Sequence, residues 1–524
     1  MSFLRGTILI LCTQVFVSLA GQNEIDLSDQ NWNIWIDKEA QWKEDKLFLP
    51  PIDLNFLPNN SPTIGWEALA GSPPGEVIIP ASIEEFYSSQ LPEGKLRISD
   101  YSGVAWYYTF INIPRSWKKK RILLEFEGVR MRAEVYINER LAGYDVIPGT
   151  PFEVDITGKV VPGTLNFLAI RVTDPADEIS GDDEADNDWS KLCKTVPPGW
   201  GGIAGSVRLK ATDDVYIENV YVRDRSNQST IQVLVELNNA KPKLVSGNLR
   251  VSLLERDPAR LIASKERYID NMYENWIIST VFSEEDFSAE EDEKLQLWSP
   301  EQPHLYRVKV EWKGNDRSAA VRSVLVGFRK YEVRAQDGRS GLFLNDEAVK
   351  IKAIEISDEK DYNSISPSND SIMKQLQAFK AEGYTMIQKT GGTYMSGLLE
   401  TADKLGLIYQ EMPLRILESD DDFIEKVQQE RLLRLVKEYR SHPSLSMYSL
   451  TEDSLGSGGE DAIRNMRYMH DLDPSRIITL SGPESLKGDE KELTSDSLKC
   501  FYLLPDSDSI AHGDLLRQIF SNTK

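Results

Sequence analysis

The sequence predicts a multidomain chain in which two β-sandwiches precede an incomplete (β/α) barrel. Its 524 residues suffice for three or four domains at about 150 residues each. Short runs that alternate apolar and polar residues fill the sequence up to about residue 333, and this period of two is typical of antiparallel sheets. Beyond about residue 335, apolar strands alternate with amphipathic helices, which indicates a parallel sheet.

The first twenty residues have the layout of a secretory signal peptide. One positive charge at Arg5 precedes an apolar run over 7–19, and the small residues Ser18 and Ala20 precede Gly21. No later segment approaches the roughly 20 consecutive apolar residues that cross a bilayer. We therefore expect residues 1–20 to be removed and the remaining chain to be secreted or periplasmic, without a membrane span.

The charge balance argues against nucleic acid as a partner. The chain has 83 acidic and 60 basic residues and a formal net charge of −23, so a phosphate backbone would be repelled across most of its surface. Hydrophobic residues make up 40% of the chain, far more than in disordered proteins. The composition therefore predicts a folded, acidic protein that does not bind nucleic acid.

Two β-sandwich domains are predicted before residue 335. Residues 21–213 are expected to form a jelly roll, since alternating runs cover 103–110, 121–128, 133–138 and 165–172. Residues 214–334 are expected to form an immunoglobulin-like sandwich, with alternating runs over 216–222, 230–235, 249–254 and 305–310.

Residues 335–524 are predicted to form a (β/α)8 barrel of TIM type that is truncated at its C-terminal end. Six strands are expected, over 349–354, 385–389, 407–410, 445–449, 477–480 and 498–503, with helices between them and a last helix over 510–520. A complete barrel of eight units needs about 250 residues. Because only 190 residues follow residue 334, the sequence predicts about six units.

Several motifs together resemble those of family 2 glycoside hydrolases, the β-galactosidase, β-glucuronidase and β-mannosidase group. Motifs similar to those of its galactose-binding-like jelly roll lie at 106–108, 126–129, 134–138, 151–156 and 201–203. Motifs similar to the end of its immunoglobulin-like domain lie at 297–306 and 327–330. In the barrel, the resemblance continues through 383–385, 403–407, 409–411 and 442–445.

The resemblance implies an O-glycosyl hydrolase of carbohydrate metabolism that cleaves β-linked sugars with retention. Such an enzyme needs two carboxyl groups about 5–5.5 Å apart, one as acid/base and one as nucleophile. In this family the acid/base Glu follows the fourth barrel strand, in a segment that begins with His-Pro-Ser and ends with Asn-Glu. Glu452, which follows His442-Pro-Ser444, is the candidate, and an oligosaccharide or polysaccharide is the expected substrate.

The sequence also departs from the family pattern at the expected sugar pocket. Thr451 replaces the Asn that precedes the acid/base, Gln388 replaces an Arg on the second strand, and Thr390 replaces a frequent Trp. Tyr394 is a further candidate for stacking on a sugar. The resemblance places the nucleophile after a seventh strand, and the sequence predicts no such strand. Glu484 is the nearest substitute for the nucleophile, but it follows the fifth strand.

Two alternatives to an active hydrolase therefore stay open. The chain could be a catalytically degenerate carbohydrate-binding protein, or a fragment of a longer β-glycosidase. No metal or cofactor is expected: the acidic run over 182–188 lacks the spacing of a calcium loop, and the four histidines lack a zinc spacing. His442 is expected to make structural hydrogen bonds under the barrel, and association into oligomers is left open.

Overall fold

The computed structural model describes three consecutive β, β and α/β regions. The described residues are 23–28, 30–71, 75–89, 101–175, 187–195, 199–225, 230–256, 259–287, 295–336, 339–357, 367–390, 394–416, 421–452, 460–481, 501–503 and 510–512. The predicted signal peptide lies outside these residues.

The first region is an antiparallel sandwich built on a six-stranded sheet, in the order β3-β2-β5-β11-β8-β9, and a four-stranded sheet, in the order β1-β13-β6-β10. A small third sheet has the order β4-β12-β7. Its helices are α1 (Trp66–Gly71), α2 (Ile83–Ser89) and α3 (Asp188–Lys194). Its strands are β1 (Glu24–Asp26), β2 (Trp32–Asp37), β3 (Gly75–Val77), β4 (Ala81–Ser82), β5 (Gly103–Asn112), β6 (Arg121–Phe126), β7 (Val129–Arg130), β8 (Arg132–Ile137), β9 (Arg140–Asp145), β10 (Phe152–Asp155), β11 (Leu165–Asp174), β12 (Gly202–Ile203) and β13 (Val207–Thr212).

The second region is a sandwich of two antiparallel sheets, in the orders β14-β15-β18 and β17-β16-β19-β20. The alternation in β15 places Val233 and Val235 in the core, where they pack with Trp312 of the opposite sheet. The strands are β14 (Val215–Arg225), β15 (Thr230–Asn239), β16 (Val245–Glu255), β17 (Leu261–Met272), β18 (Trp276–Ser283), β19 (Tyr306–Gly314) and β20 (Ala319–Val326).

The third region begins with a small antiparallel sheet and continues as alternating strands and helices. The small sheet has β21 (Tyr331–Gln336), β22 (Arg339–Leu344) and β23 (Glu347–Ala348). A seven-stranded sheet follows, in chain order from β24 to β30. Its elements are β24 (Ala353–Ser357), α4 (Asn369–Ala381), β25 (Met386–Thr390), α5 (Ser396–Leu405), β26 (Ile408–Ile416), α6 (Asp422–Tyr439), β27 (Leu445–Glu452), α7 (Glu460–Leu472), β28 (Ile477–Ser481), β29 (Phe501–Leu503) and β30 (Ile510–His512).

The first five strands of this sheet pair in parallel, whereas the sixth does not. β29 runs antiparallel to β28, and β30 runs antiparallel to β29. The prediction of a sixth parallel strand over 498–503 is therefore wrong, and β30 lies where the start of the last helix was predicted. An apolar run such as Phe501–Leu503 predicts a strand, but it carries no information about the direction of that strand.

The small antiparallel sheet closes the amino-terminal end of the barrel. Leu342 and Leu344 of β22 share a hydrophobic cluster with Met386, Ile408 and Met447 of the parallel strands. The predicted domain boundary at 334/335 falls inside β21, and the boundary at 213/214 falls between β13 and β14. The predicted boundaries at 20/21, 213/214 and 334/335 all stay predictions.

Helix α6 contacts both sandwiches. It begins where Asp421 accepts hydrogen bonds from the backbone amides of residues 423 and 424. Val427 is fully buried in an aromatic cluster of the first sandwich that includes Trp106 and Trp189. At its other end, Lys437 and Arg440 pair with Glu236 of β15, at 3.1 Å each. Helix α6 therefore attaches the barrel to both β domains.

Candidate active site

A continuous row of polar side chains crosses the inner face of the parallel sheet. The Gln388 amide nitrogen donates to Gln410 Oε1 at 3.0 Å, and the Gln410 amide nitrogen donates to Ser449 Oγ at 2.7 Å. Ser449 Oγ and Thr479 Oγ1 are 2.8 Å apart and share the next hydrogen bond. All four side chains are buried. We call these four residues the polar row.

The polar row lies directly above an apolar layer. On each of the four strands, the residue two positions earlier belongs to the cluster that fills the barrel floor: Met386, Ile408, Met447 and Ile477. Side chains two positions apart on a strand share a face, so the polar row lies on the same inner face, closer to the carboxyl ends of the strands. Active sites of barrel enzymes lie at that end.

Glu452 ends β27 at this carboxyl edge. Its backbone is in register with Ile416 of β26, and Thr451 is in register with Ser481 of β28. The fourth parallel strand therefore ends at Glu452, which is the acid/base candidate. Asp453 and Glu484 lie outside the described residues, and the role of Glu452 stays a prediction.

The structure places Gln388 inside the polar row. Its side chain is 5% exposed, and its amide group is committed to Gln410 on the neighbouring strand. A guanidinium at this position would bring a positive charge into the row, whereas the glutamine keeps the four described members of the row neutral. Gln388 thus belongs to the polar row that lies beneath the candidate site.

Tyr394 does not face this site. Its ring is buried in the cluster on the helix side of the sheet and lies 5.5 Å from the ring of Tyr439. Burial raises the pKa of the Tyr394 phenol well above its ordinary value. The interpretation of Tyr394 as a residue that stacks on a sugar is corrected here, because a ring enclosed by core residues offers no free face.

Sequence reasoning missed a second polar group near the carboxyl edge. Glu411 of β26 is buried and accepts a hydrogen bond from the Tyr409 hydroxyl at 2.7 Å. Glu411 is also in register with Lys389 of β25, which is fully buried. The sequence could have indicated this group, because Lys389 and Glu411 lie within apolar strands. Charged residues are rarely buried unless they have partners.

His442 lies at the opposite end of β27 from Glu452. Its Nδ1 is 2.6 Å from Asp403 Oδ2, and the other oxygen of Asp403 accepts the backbone amide of Ser444 at 3.0 Å. Burial opposes a charge on His442, but the Asp403 carboxylate outweighs it and raises the pKa of the imidazole. This pair links α5 to the start of β27 and is remote from the carboxyl edge.

Among the ranges that the structure describes, there is no group of three or more His, Cys, Asp or Glu side chains that could hold a metal ion. Within those same ranges, none of the helices combines the length and the apolar character needed to cross a membrane.

Models of three domains of one protein family match the chain in consecutive order. The model of the family 2 sugar binding domain matches residues 87–194, that of glycosyl hydrolases family 2 matches residues 214–329, and that of the family 2 TIM barrel domain matches residues 376–513. The chain belongs to glycoside hydrolase family 2. The predicted order of a jelly roll, an immunoglobulin-like sandwich and an incomplete barrel is confirmed.

Relatives of this family 2 chain include proteins named as β-galactosidases and proteins named as β-glucuronidases. It is 24% identical over 414 residues to a β-galactosidase of Thermoanaerobacter pseudethanolicus, covering 76% of this chain and 51% of the relative. It is 22% identical over 424 residues to a β-glucuronidase of Formosa agariphila, covering 76% of this chain and 40% of the relative. The chain thus spans about half the length of the relatives that it matches.

Solved structures of family 2 share the fold. A β-glucuronidase of Bacteroides uniformis superimposes with a TM-score of 0.65 at 19% identity, over 87% of this chain and 52% of that one. A β-galacturonidase of Eisenbergiella tayi bound to galacturonate superimposes with a TM-score of 0.65 at 18% identity, over 88% of this chain and 71% of that one.

Proposed function

We propose that this family 2 protein hydrolyses β-linked glycosides with retention and that Glu452 is its general acid/base. The observation that carries the proposal is the position of Glu452, at the carboxyl end of the fourth parallel strand, in a segment that the family 2 barrel model covers. General acid catalysis needs a carboxyl at the glycosidic oxygen, and this edge of a barrel is where substrates bind.

β-Galactosides and β-glucuronides are the first substrates to test. The relatives named above act on these two sugars, according to their names. The polar row supports a carbohydrate ligand, because its amides and hydroxyls are neutral groups that can both donate and accept hydrogen bonds. An oligosaccharide or polysaccharide outside the cytoplasm is the natural form of such a substrate, in keeping with the predicted signal peptide.

The second catalytic carboxyl is not among the described residues. The resemblance places it after a seventh barrel strand, and the five described parallel strands end with β28. The DNA downstream of the Lys524 codon is therefore the first observation to make. A continuation that encodes a strand ending in Ser-Glu would supply the nucleophile, and the longer product would then be the protein to assay.

The deciding experiment measures hydrolysis of nitrophenyl β-galactoside, β-glucuronide and β-mannoside. We expect the product that carries both carboxyls to turn over at least one of them within the usual enzyme range of roughly 1–10³ per second. NMR of the first-formed sugar should show retention of the anomeric configuration. Failure to hydrolyse any of the three would refute the proposal.

A carbohydrate-binding protein without turnover is the second candidate. The observation that favours it is Gln388, which occupies a position where the family pattern has Arg and whose amide is bonded within the polar row. Residues 21–524 alone should then show no more than trace hydrolysis, because losing one catalytic residue commonly removes several orders of magnitude of rate. Retention of the chain on immobilised β-galactosides, with no turnover, would support this candidate.

A further inference from the structure

Glu127 of the jelly roll reaches the start of a barrel helix. It follows β6 directly. Its Oε1 accepts a hydrogen bond from the hydroxyl of Ser396 at 3.2 Å, and Ser396 is the first residue of α5. The same carboxylate accepts from Arg208 at 3.2 Å and from the backbone amide of Ser206 at 3.0 Å. Its side chain is 19% exposed. Three donors therefore hold one carboxylate between two domains.

The start of α5 lacks a capping group of its own. Its N-cap residue, Met395, makes no side-chain hydrogen bond, and its first turn contains no acidic residue. By contrast, Ser368 caps α4 and Asp421 caps α6. Negative charge near a helix N-terminus is stabilising because of the partial positive charge there. Glu127 supplies that charge to α5 from a residue 269 positions earlier in the chain.

A second contact joins the same two regions. The backbone amide of Tyr394 donates to Gly149 O at 3.0 Å, and the amide of Gly149 donates to Val129 O at 3.0 Å. Gly128 lies so close to Gly149 that an added Cβ would be 3.1 Å from the Gly149 carbonyl carbon. Both contacts to the barrel therefore start from one tightly packed corner of the jelly roll.

This corner faces the segment that follows β25. Tyr394 and Ser396 come shortly after Thr390, the last residue of the strand that carries Gln388. We propose that Glu127 is a positioning residue, which with Gly149 fixes residues 394–396 and thereby the carboxyl end of β25 at the candidate site. Its consequence for catalysis rests on the proposed function, whereas its effect on residues 394–396 does not.

Hydrogen exchange measured by mass spectrometry tests the local effect without turnover. Glu127→Gln keeps the size of the side chain but removes its charge. We expect backbone amides 394–399 to exchange at least tenfold faster in this variant, while the cores of both sandwiches keep their wild-type rates. Glu24→Gln is the matched control, because Glu24 also pairs with Arg208, at 3.9 Å, and has no contact to α5 among those the structure describes.

A rescue variant separates charge at the helix terminus from a general loss of packing. Ser396→Asp in the Glu127→Gln background places a carboxylate in the first turn of α5 itself, and we expect it to restore slow exchange over 394–399. Unchanged exchange in Glu127→Gln would overturn the proposal. Equal acceleration throughout the chain, or no rescue by Ser396→Asp, would also overturn it, because either result would indicate a general structural role.

Kinetics of the hydrolysing protein test the catalytic consequence. Because Glu127 acts on the substrate-binding edge and not on proton transfer, we expect Glu127→Gln to raise KM about threefold to tenfold and to change kcat less than twofold. A loss carried by kcat would contradict this positioning role. If the wild-type protein hydrolyses no glycoside, the proposed function fails, whereas the exchange experiment still decides the role of Glu127 at α5.

Discussion

Arg434 of α6 and Asp145 of β9 form an ion pair that is buried between the barrel and the jelly roll. Arg434 Nη2 donates to Asp145 Oδ1 at 2.9 Å, and the side chains are 14% and 4% exposed. Arg434 also donates to Thr150 Oγ1 and Pro151 O, at 3.4 Å each. The arginine thus holds the loop that contains Gly149, which contacts the segment after β25.

We predict that Arg434→Met destabilises the protein by about 3–5 kcal/mol, because it leaves Asp145 buried without its cationic partner. Lys426→Met on the same helix is the control, since Lys426 and its partner Asp422 are 55% and 79% exposed. Exposed pairs contribute at most about 1 kcal/mol. Urea unfolding followed by tryptophan fluorescence measures both, and equal losses would contradict the assigned role of the buried pair.

A second prediction concerns pH. Burial, with a further contribution from the Asp174 carboxylate, raises the pKa of Glu84 to about 8 from its ordinary value of 4.5. The folded protein therefore binds a proton that the unfolded chain releases, so this group's stabilising contribution is complete below pH 4.5 and is lost as the pH rises to about 8. We expect the unfolding temperature to fall across this window.

Glu84→Gln should flatten that dependence, because the amide stays neutral at every pH. Asp174→Asn should shift the decline to lower pH, since it removes the second cause of the raised pKa. Thermal unfolding at pH 5, 6, 7, 8 and 9 measures the three profiles. If Glu84→Gln retains the wild-type slope between pH 5 and 8, the titration belongs to another group.

The third prediction concerns Gly201, which lies between these two carboxyl groups. Its amide donates to Glu84 at 3.1 Å, and an added Cβ would lie 2.0 Å from Asp174 Oδ2. We expect Gly201→Ala to cost about 1–3 kcal/mol, as is usual for overpacking. Gly158→Ala should be almost neutral in the same urea titration, because a Cβ there meets no atom within 4 Å.

The fourth prediction tests the proposed acid/base role of Glu452, in a product that hydrolyses glycosides. Glu452→Gln should slow the cleavage of natural disaccharides by about 10² to 10⁴-fold, because their leaving groups need a proton. The dinitrophenolate group of a dinitrophenyl glycoside leaves without a proton, so the rate at which the glycosyl-enzyme forms from this substrate should be largely preserved. Added azide should restore turnover, since it attacks the glycosyl-enzyme without a base.

Asp453→Asn is the matched control for this experiment, because Asp453 is the next residue in the chain. We expect it to hydrolyse both kinds of substrate at nearly the wild-type rates and not to respond to azide. Loss and azide rescue in Asp453→Asn, with normal rates in Glu452→Gln, would transfer the acid/base role to Asp453. Equal loss on both substrates in Glu452→Gln, without rescue, would refute the assignment.

The order of the three domains could be predicted because periodicity is local. Alternation in segments such as Thr230–Asn239 and the change to strand–helix repeats after β23 are properties of neighbouring residues. The direction of β29 depends on its pairing with β28, which no local pattern encodes. The burial of Tyr394 depends on packing against Tyr439, a contact between separate elements.

The polar row was within reach of the sequence. On four strands, an apolar residue is followed two positions later by Gln, Gln, Ser or Thr, as in Met386-Ile-Gln388 and Ile477-Ile-Thr479. Read as layers of a barrel, this repeat predicts a polar level above an apolar one. The pairs between domains were not within reach, because Asp145 and Arg434 are 289 positions apart.

The attachment of α6 to both sandwiches also has a consequence for the time course of folding. Asp145 is synthesised 289 residues before Arg434, and Glu236 is synthesised 204 residues before Arg440. At about 5–20 residues per second, the wait for Arg434 is roughly 15–60 s. During that interval the nascent jelly roll carries an unpaired carboxylate and lacks the Val427 side chain in its aromatic cluster. The jelly roll therefore reaches its final packing only after a helix encoded far downstream has been made.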